Sequence, residues 1–175
     1  MENRTMTLDE FTALHEISQT KYRYLRAVDT QDWELLRSCF TDDASVWYNQ
    51  GKFTAEGPDN IIARLKAWFL PVVYSSHIAL QPEIELTGPD TAKGTWRLQD
   101  IVHFKGPVPD PVRNLTGGEE ITGAGYYYDD YRCVNGQWKI ARTGYVRLFE
   151  QIARRAGRGD VEVKAVDERG VIKAA

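Results

Sequence analysis

Two residues far apart in the chain, Asp29 and His77, carry the side chains of a proton-transfer site. A neutral imidazole can take a proton near pH 7, and a carboxylate behind it can fix its tautomer and stabilise the imidazolium that forms. Tyr24, Asp100 and Arg147 add a phenol, a second carboxylate and a guanidinium that could act with them. Asp29 ends the first helical pattern, and His77 opens the strand-like segment SSHIALQPEIEL. Whether these groups meet therefore depends on the fold.

The composition of the chain favours one compact domain and excludes several kinds of partner. With 175 residues and 42% hydrophobic content, the chain is long enough for one core and short for two. Its 22 basic and 25 acidic residues create no global positive field, so we do not expect nucleic acid as a partner. Cys39 and Cys133 form no CxxC pair and no histidines cluster, so neither a disulfide framework nor a zinc site is indicated.

Neither a targeting signal nor a membrane span is visible in the sequence. The first residues, MENRTMTLDE, lack the basic and then apolar layout of a signal peptide. The longest apolar run, around AWFLPVVY, falls far short of the roughly 20 residues that span a bilayer. We therefore expect a soluble, cytoplasmic protein with no membrane partner.

Helical patterns fill the first part of the chain. Apolar residues at helical spacing and a capping signal predict a first helix from Thr7 to about Val28. A second helix is predicted over residues 32–40, capped by Asp32, and a third after Pro58. Between the second and third helices, ASVWYNQGKFTAEG indicates two short strands joined by a turn.

Strand patterns fill the rest of the chain. Four long segments are rich in β-branched and aromatic residues and are separated by turn signals: SSHIALQPEIEL, TAKGTWRLQDIVHF, ITGAGYYYDDYRCV and QWKIARTGYVRLFEQ. They predict an antiparallel meander, so the domain is α+β, with three N-terminal helices packed on a curved, mainly antiparallel sheet that encloses a pocket. Gly106–Glu120 holds three prolines and a glycine pair and predicts a long loop that could act as a lid.

This order of elements resembles the SnoaL-like branch of the nuclear-transport-factor-2-like superfamily, whose members form a cone. The likeness covers about residues 10–152. It is carried by the phrases KYRYLRAVDTQDWELL, FTDDASVW, TAKGTWRLQD, YYYDDYRCVNGQWKI and TGYVRLFEQ. Within that branch, the chain resembles the bile acid 7α-dehydratases. The residues that carry this likeness are Tyr24, Asp29, His77, Asp100 and Arg147. Asp29 and His77 also resemble the catalytic pair of scytalone dehydratase and of hexachlorocyclohexane dehydrochlorinase.

The resemblance implies elimination without a cofactor or a metal, on a hydrophobic, steroid-like hydroxy-ketone. His77 would remove a carbon-bound proton while Asp29 supports the imidazolium, and Tyr24 would stabilise the dienolate oxygen. Asp100, with Arg147, would protonate or hold the departing hydroxyl. A hydratase running the reaction backwards has the same sequence features, and a polyketide cyclase or isomerase uses similar groups.

Helix and strand geometry leave alternatives open for the first three residues. Tyr24 and Asp29 lie about 140° apart around an ideal helix, so both enter one pocket only if the helix unwinds at or before Asp29. Tyr22 would share the face of Asp29 more simply, and the resemblance favours Tyr24. Strand alternation gives His77 the polar face, which is typical of a surface residue, whereas the resemblance places it in the pocket.

Asp100 lies on an apolar strand face, where a carboxylate must be paired, hydrogen-bonded or protonated. Burial would raise its pKa, as a general acid requires, and the alternative is a structural acid satisfied by Arg147. We expect the substrate to contact apolar residues on these strands, namely Trp96, Leu98, Phe104, Tyr145 and Phe149. His15 and His103 are interpreted as structural.

Two questions of organisation remain open at this level. We divide the chain into a domain over residues 1–152 and a charged tail over 153–175, which is disordered or forms an oligomer contact. The resemblance implies a homo-oligomer, a trimer or a dimer. Two rivals to the enzyme are a non-catalytic small subunit of a ring-hydroxylating dioxygenase and a binding module for a hydrophobic ligand.

Overall fold

Four helical segments and six strands make up the computed structural model, which describes residues 5–109 and 113–154. The helical segments are α1 (Leu8–Thr30), α2 (Trp33–Ser38), α3 (Tyr48–Gly51) and α4 (Pro58–Phe69). The strands are β1 (Phe40–Trp47), β2 (Phe53–Glu56), β3 (Val72–Gly88), β4 (Thr91–Phe104), β5 (Glu119–Val134) and β6 (Gln137–Arg154). The α+β class and the sequence of helices before long strands are confirmed.

The ends of α1 follow local hydrogen bonding. The Thr7 hydroxyl accepts the Glu10 N–H at 3.2 Å, and the Glu10 carboxylate accepts the Thr7 N–H at 2.8 Å, which is the predicted capping box. At the other end Gln31 takes a left-handed φ of 55°, and its N–H bonds to carbonyls of the last turn. The helix therefore continues through Asp29, so the unwinding that would bring Tyr24 and Asp29 into one pocket does not occur.

The helical prediction over residues 32–40 is too long at its end. Asp32 caps α2 by accepting the Leu35 N–H at 3.0 Å, as predicted. The helix ends at Ser38, and Phe40 is the first residue of β1, where it pairs with Ile140 of β6. Leu36 and Phe40 are both buried, so their helical spacing reflects a shared core rather than one helix.

The predicted turn between β1 and β2 is present as α3. Asn49 and Gln50 have φ values of 53° and 55°, and Gly51 has φ 80°. Three consecutive residues in the left-handed region make this a tight turn rather than a regular helix. The turn reverses the chain, so that Tyr48 and Phe53 on either side of it stack at 5.7 Å between ring centroids.

The six strands form one sheet in the order β2-β1-β6-β5-β4-β3. Every neighbouring pair is antiparallel except β1 and β6, which run parallel, and the predicted meander is β3 to β6. β3 begins at Val72, so His77 lies inside the strand rather than at its opening. The long loop after β4 is confirmed over its described part, residues 105–109 and 113–118.

β6 runs to Arg154, and thus takes in the first two residues of the predicted tail. Residues 155–175, including the VEVKAV segment, lie outside the described residues, as do residues 110–112 of the loop. Within the described ranges, the structure has no helix that is long and apolar enough to cross a membrane.

A buried ion pair ties α1 to the sheet. The Lys21 ammonium and the Asp129 carboxylate are 2.8 Å apart, and both side chains are fully buried. Asp129 also accepts hydrogen bonds from Tyr131 at 2.7 Å and from Thr143 at 2.6 Å. Lys21 lies 3.8 Å from the centroid of the Tyr127 ring, a favourable cation–π contact. Burial lowers the pKa of Lys21, and the attraction to Asp129 opposes that shift.

Replacing Lys21 should destabilise the fold. Lys21→Met leaves the Asp129 carboxylate buried without its cation, which costs about 3–5 kcal/mol of unfolding free energy in comparable buried pairs. Lys21→Met combined with Asp129→Asn should recover part of that loss, because the amide carries no charge, its oxygen accepts from one of the two hydroxyls and its NH2 group can donate to the other. Urea unfolding measures both, with the exposed Lys66→Met as control. Unchanged stability of Lys21→Met would contradict a structural role for the pair.

Candidate active site

A cavity of about 430 Å³ lies between the helices and the inner face of the sheet. Its volume falls within the range of small-molecule sites. Most of its wall is apolar, and it is formed in large part by Leu25, Val28, Leu65, Phe69, Val102 and Phe104. Its polar lining includes Tyr24, Tyr48, His77, Asp100, Tyr145 and Arg147. An apolar space with a few convergent polar groups is the usual form of a binding or catalytic site.

The structure brings Asp29 and His77 together. The Nδ1 atom of His77 lies 2.6 Å from Asp29 Oδ1, and the backbone N–H of His77 donates to Asp29 Oδ2 at 2.8 Å. The Ser75 hydroxyl donates to Asp29 Oδ1 at 2.7 Å. Because an ionised carboxylate only accepts, Nδ1 carries the proton in this bond and Nε2 holds the lone pair. The imidazole is therefore oriented as a base with Nε2 available.

The positions of these groups follow from the edge of the sheet. β3 is an edge strand, so the His77 N–H is free to bind the helix instead of another strand. Ser75 and His77 are two residues apart and share one face, and both contact Asp29. Hydrogen bonds from three donors stabilise a carboxylate near a helix C-terminus, where the helix dipole alone is unfavourable. Asp29 is thus a hydrogen-bonded residue of the last helical turn.

His77 and Asp100 are register partners on β3 and β4, which places both on the inner face of the sheet. Asp100 Oδ2 lies 3.9 Å from His77 Nε2. Arg147 donates from both terminal nitrogens to the two oxygens of Asp100, at 2.8 and 2.6 Å. The Asp100 side chain is 2% exposed and that of Arg147 is 9% exposed, so this is a buried bidentate pair.

The bidentate pair changes the interpretation of Asp100. Both of its oxygens accept from Arg147, whereas a protonated acid would have to donate from one of them. The expectation of a protonated general acid at this position is therefore not supported, and the alternative of an acid satisfied by Arg147 fits the contacts. Burial alone would lower the pKa of Arg147, but hydrogen bonding and attraction to Asp100 outweigh it and place that pKa above its ordinary value.

A further ion pair supports Arg147 from the other side. Arg147 Nε lies 3.0 Å from Glu150 Oε2, at an angle outside hydrogen-bond alignment. Arg113 donates to both oxygens of Glu150 at 2.8 Å. Charges therefore alternate from Arg113 through Glu150, Arg147 and Asp100 to the imidazole. Glu150 and Arg113 were not predicted. In a regular strand residues three apart face opposite sides, and the extra residue Leu148 is what brings Glu150 to the face of Arg147.

Two phenols of the cavity lining meet each other. The hydroxyl oxygens of Tyr24 and Tyr48 are 2.7 Å apart, and either can donate to the other. Burial, followed by the neighbouring Tyr48 and Tyr127, raises the pKa of Tyr24 well above its usual value. Burial raises the pKa of Tyr48 as well. Both therefore stay protonated at neutral pH, so one proton of the pair is available to a ligand. Tyr48 was not predicted, because nothing in its spacing distinguishes it from a core aromatic.

The expected substrate-contacting residues divide into two groups. Phe104 and Tyr145 line the cavity. Trp96 and Leu98 face inward but are fully buried outside the cavity lining, and Trp96 packs on Tyr22 of α1 at 6.2 Å between ring centroids. The structure therefore does not place these two residues in the cavity lining, and their contact with a substrate stays a prediction.

Phe149 is also misplaced by the sequence analysis. It pairs with Ala124, whereas Arg147 pairs with the adjacent Gly125, so Leu148 is an extra residue in β6. A bulge of this kind reverses the alternation of side chains beyond it. Phe149 consequently lies on the outer face of the sheet and is 53% exposed.

The remaining histidines lie apart from the cavity lining. His15 is exposed on α1, and His103 is buried and stacks on Tyr74 at 5.2 Å between ring centroids. In the described part of the chain, no group of three or more histidine, cysteine, aspartate or glutamate side chains is arranged to hold a metal ion.

Comparison with known proteins identifies the family and the fold. A family model for the SnoaL-like domain matches residues 9–144. Among solved structures, a scytalone dehydratase candidate from Novosphingobium aromaticivorans is similar, with TM-score 0.71 and 21% identity, covering 97% of this chain and 100% of that one. At these identities the structural likenesses show the fold alone.

Two further structures share the fold. The hexachlorocyclohexane dehydrochlorinase LinA-type3 from Novosphingobium barchaimii has TM-score 0.72 and 19% identity, covering 89% of this chain and 99% of that one. A variant of Rv3472, a protein of unknown function from Mycobacterium tuberculosis, has TM-score 0.61 and 22% identity, covering 91% and 83%.

The hydrogen bond between Asp29 and Nδ1 predicts the tautomer of His77. In ¹⁵N NMR at a pH where the ring is neutral, Nδ1 should be protonated and Nε2 should show the signal of an unprotonated nitrogen, assigned by its loss in His77→Gln. Asp29→Ala should abolish this preference, whereas Ser75→Ala should keep it because the bond to Asp29 remains. A wild-type ring protonated mainly on Nε2 would contradict the described geometry.

Proposed function

Because this chain belongs to the SnoaL-like domain family, we propose that it is a cofactor-independent carbon–oxygen lyase, a dehydratase or hydratase of a hydrophobic, steroid-like hydroxy-ketone. The observation that carries the proposal is the His77 imidazole, held by Asp29 at the wall of an apolar cavity with its Nε2 available. A positioned base of this kind is what removal of a carbon-bound proton requires.

In the first step, His77 Nε2 takes a proton from a carbon that a conjugated carbonyl has made acidic. The electrons of that C–H bond move into the conjugated system and place negative charge on the carbonyl oxygen. Asp29 stabilises the imidazolium, since its charge lies 2.6 Å from Nδ1. The Asp100 carboxylate, 3.9 Å from Nε2, adds to this stabilisation.

The phenol pair suits the oxygen of the dienolate. Tyr24 and Tyr48 share one hydrogen bond, so the other hydroxyl proton can point at the ligand. A preorganised donor in a site sheltered from water stabilises developing charge more than water does. We assign this role to the pair rather than to Tyr24 alone.

In the second step, the carbon–oxygen bond of the leaving hydroxyl breaks and the double bond forms. The hydroxyl needs a proton to depart as water, and Asp100 holds none while Arg147 binds both of its oxygens. We assign the donor role to the His77 imidazolium, which returns to the neutral ring. The proton that leaves carbon thus ends on the departing water. Arg147 and Asp100 orient the hydroxyl next to the imidazolium.

The cavity wall favours a rigid polycyclic substrate. Affinity for such a ligand comes from buried apolar area, at about 25 cal/mol per Å² before the costs of binding. A 3-oxo-4-ene steroid with a 7-hydroxyl group has the required chemistry: an acidified C–H, a conjugated carbonyl and a leaving group. Small aromatic polyketides are the next class, since a cyclase or isomerase would use the same groups.

The arrangement argues against a non-catalytic subunit or a simple binder. A subunit that only assembles with a larger partner has no need for a charged network beside an open cavity. A binding module gains nothing from a carboxylate that fixes the imidazole tautomer. Turnover therefore separates these classes, and binding alone does not.

Loss of the base should abolish most turnover of the 7-hydroxy-3-oxo-4-ene steroid. His77→Ala should lower kcat by about 10²–10⁴-fold, the usual contribution of a positioned base. Asp29→Asn should impair kcat by a similar order while keeping the fold. The new absorbance of the extended conjugation measures the rate, and it should persist with a chelator present. The exposed His15→Ala serves as control, and full activity of His77→Ala would remove the proposed base.

We also propose a homo-oligomer, a trimer or a dimer, that uses the outer face of the sheet. Ile78, Leu80 and Phe149 lie on that face and are 39%, 48% and 53% exposed, opposite the side chain of His77. Apolar side chains grouped on one sheet face are a usual mark of an interface. The partner that fits is a second copy of this chain.

Light scattering at micromolar concentration should give the mass of a trimer or dimer. Leu80→Arg together with Phe149→Arg should shift the mass to that of one chain, because each places a charge in the apolar contact. Thr87→Arg, at an exposed position of β3 away from this group, is the matched control. A wild-type protein that is already a monomer would refute the oligomer.

A further inference from the structure

The charges that line the cavity are unbalanced. Four cationic side chains line it, from Lys52, Arg64, Arg113 and Arg147, and Asp100 is the one carboxylate among the described lining residues. Arg147 is neutralised by Asp100, and Arg113 by Glu150. Within residues 5–109 and 113–154, no carboxylate pairs with Lys52 or Arg64; Arg64 donates instead to the neutral Asn60 amide oxygen at 3.4 Å. Two positive charges therefore remain uncompensated.

These two cations belong to the solvent-exposed part of the cavity lining. Lys52 and Arg64 are exposed, whereas Asp100 is buried and His77 is half-buried. The Arg64 guanidinium lies 5.8 Å from the centroid of the Phe53 ring, and Lys52 is the residue before Phe53. Phe53 itself lines the cavity.

The backbone that presents Lys52 is strained. Asn49 and Gln50 are non-glycine residues with left-handed φ values, immediately before Gly51 and Lys52. Such conformations cost free energy and recur where a segment is shaped to hold a ligand. Asn49 also lines the cavity beside Lys52. The contrast with the rest of the protein is marked, because the chain as a whole has a net charge of −3.

We propose that Lys52 and Arg64 form an anion subsite at the mouth of the cavity. It would bind a negatively charged group, a carboxylate or a phosphate, at the end of the substrate remote from the carbon that reacts at His77. The substrate is then an apolar ring system with an acidic tail. This inference rests on the proposed function, since it assumes that the ring system occupies the cavity.

The subsite should sort ligands by charge and contribute modestly to affinity. Solvent-exposed ion pairs are weak and are screened by salt, so two of them together should give a preference of about tenfold for the anion at low ionic strength. The preference should shrink as salt is added. Turnover should follow binding, with the change in KM rather than in kcat, because the contact is the same in the ground and transition states.

Three ligands with one 3-oxo-4-ene steroid ring system test the subsite by calorimetry. Their side chains end in a carboxylate, in a phosphate and in a methyl ester of the carboxylate. Wild-type protein should bind at least one anion about tenfold more tightly than the ester, and the stronger of the two identifies the group. In Lys52→Gln/Arg64→Gln, the anions should bind as weakly as the ester, and the affinity of the ester should be unchanged.

The exposed Lys66 on α4 lies outside the cavity lining, so Lys66→Gln is the control and should keep the preference. Equal affinities of wild-type protein for the anions and the ester would overturn the subsite and leave the proposed function standing. A preference for the anions that persists in the double variant would have the same consequence. If neither the anions nor the ester bind, the steroid substrate of the proposed function fails, and the inference fails with it.

Discussion

The arrangement depends on one carboxylate that joins the last turn of α1 to the edge strand of the sheet. Asp29 accepts from the Ser75 hydroxyl, from the backbone of His77 and from its ring, so one residue closes the gap between helix and strand and sets the tautomer of the base. The position is unfavourable for a carboxylate in isolation, because it lies near the negative end of the helix dipole. The three donors offset that cost only while β3 stays in place. The same hydrogen bonds therefore orient the imidazole and hold the helix to the strand.

The inner face of the sheet has two parts. In one part, α1 packs directly on the sheet around the buried Lys21–Asp129 pair, and the side chains there form the core. In the other part, the cavity lies between α1, α4 and the strands β3 to β6, and the alternating charges from Arg113 to Asp100 form part of its polar wall. Buried ion pairs of this kind add little net stability but are costly to break, which favours one fixed arrangement. Rigid placement is what a proton transfer requires of the groups around it.

Much of the fold was predictable because its signals are local. The Thr7 capping box and the Asp32 cap each depend on neighbours in sequence, and each was confirmed. The errors arose where tertiary contacts decide. The bulge at Leu148 reversed the face of Phe149, and α1 covered Trp96 and Leu98, neither of which the sequence pattern contains. The prediction that Asp29 and His77 act as a pair came from the family resemblance, because their separation in sequence carries no information about the distance between them. The bidentate hold of Arg147 on Asp100 decided between two open alternatives and required the structure.

The central claim is that His77 moves a proton from carbon, and solvent exchange tests it apart from the departure of the hydroxyl. A 3-oxo-4-ene steroid without the 7-hydroxyl group cannot eliminate water, so uptake of deuterium from D₂O at its acidified carbon reports proton transfer alone. The account predicts that wild-type protein and His15→Ala catalyse this exchange, and that His77→Ala binds the steroid without catalysing it. Exchange at the wild-type rate in His77→Ala would contradict the account.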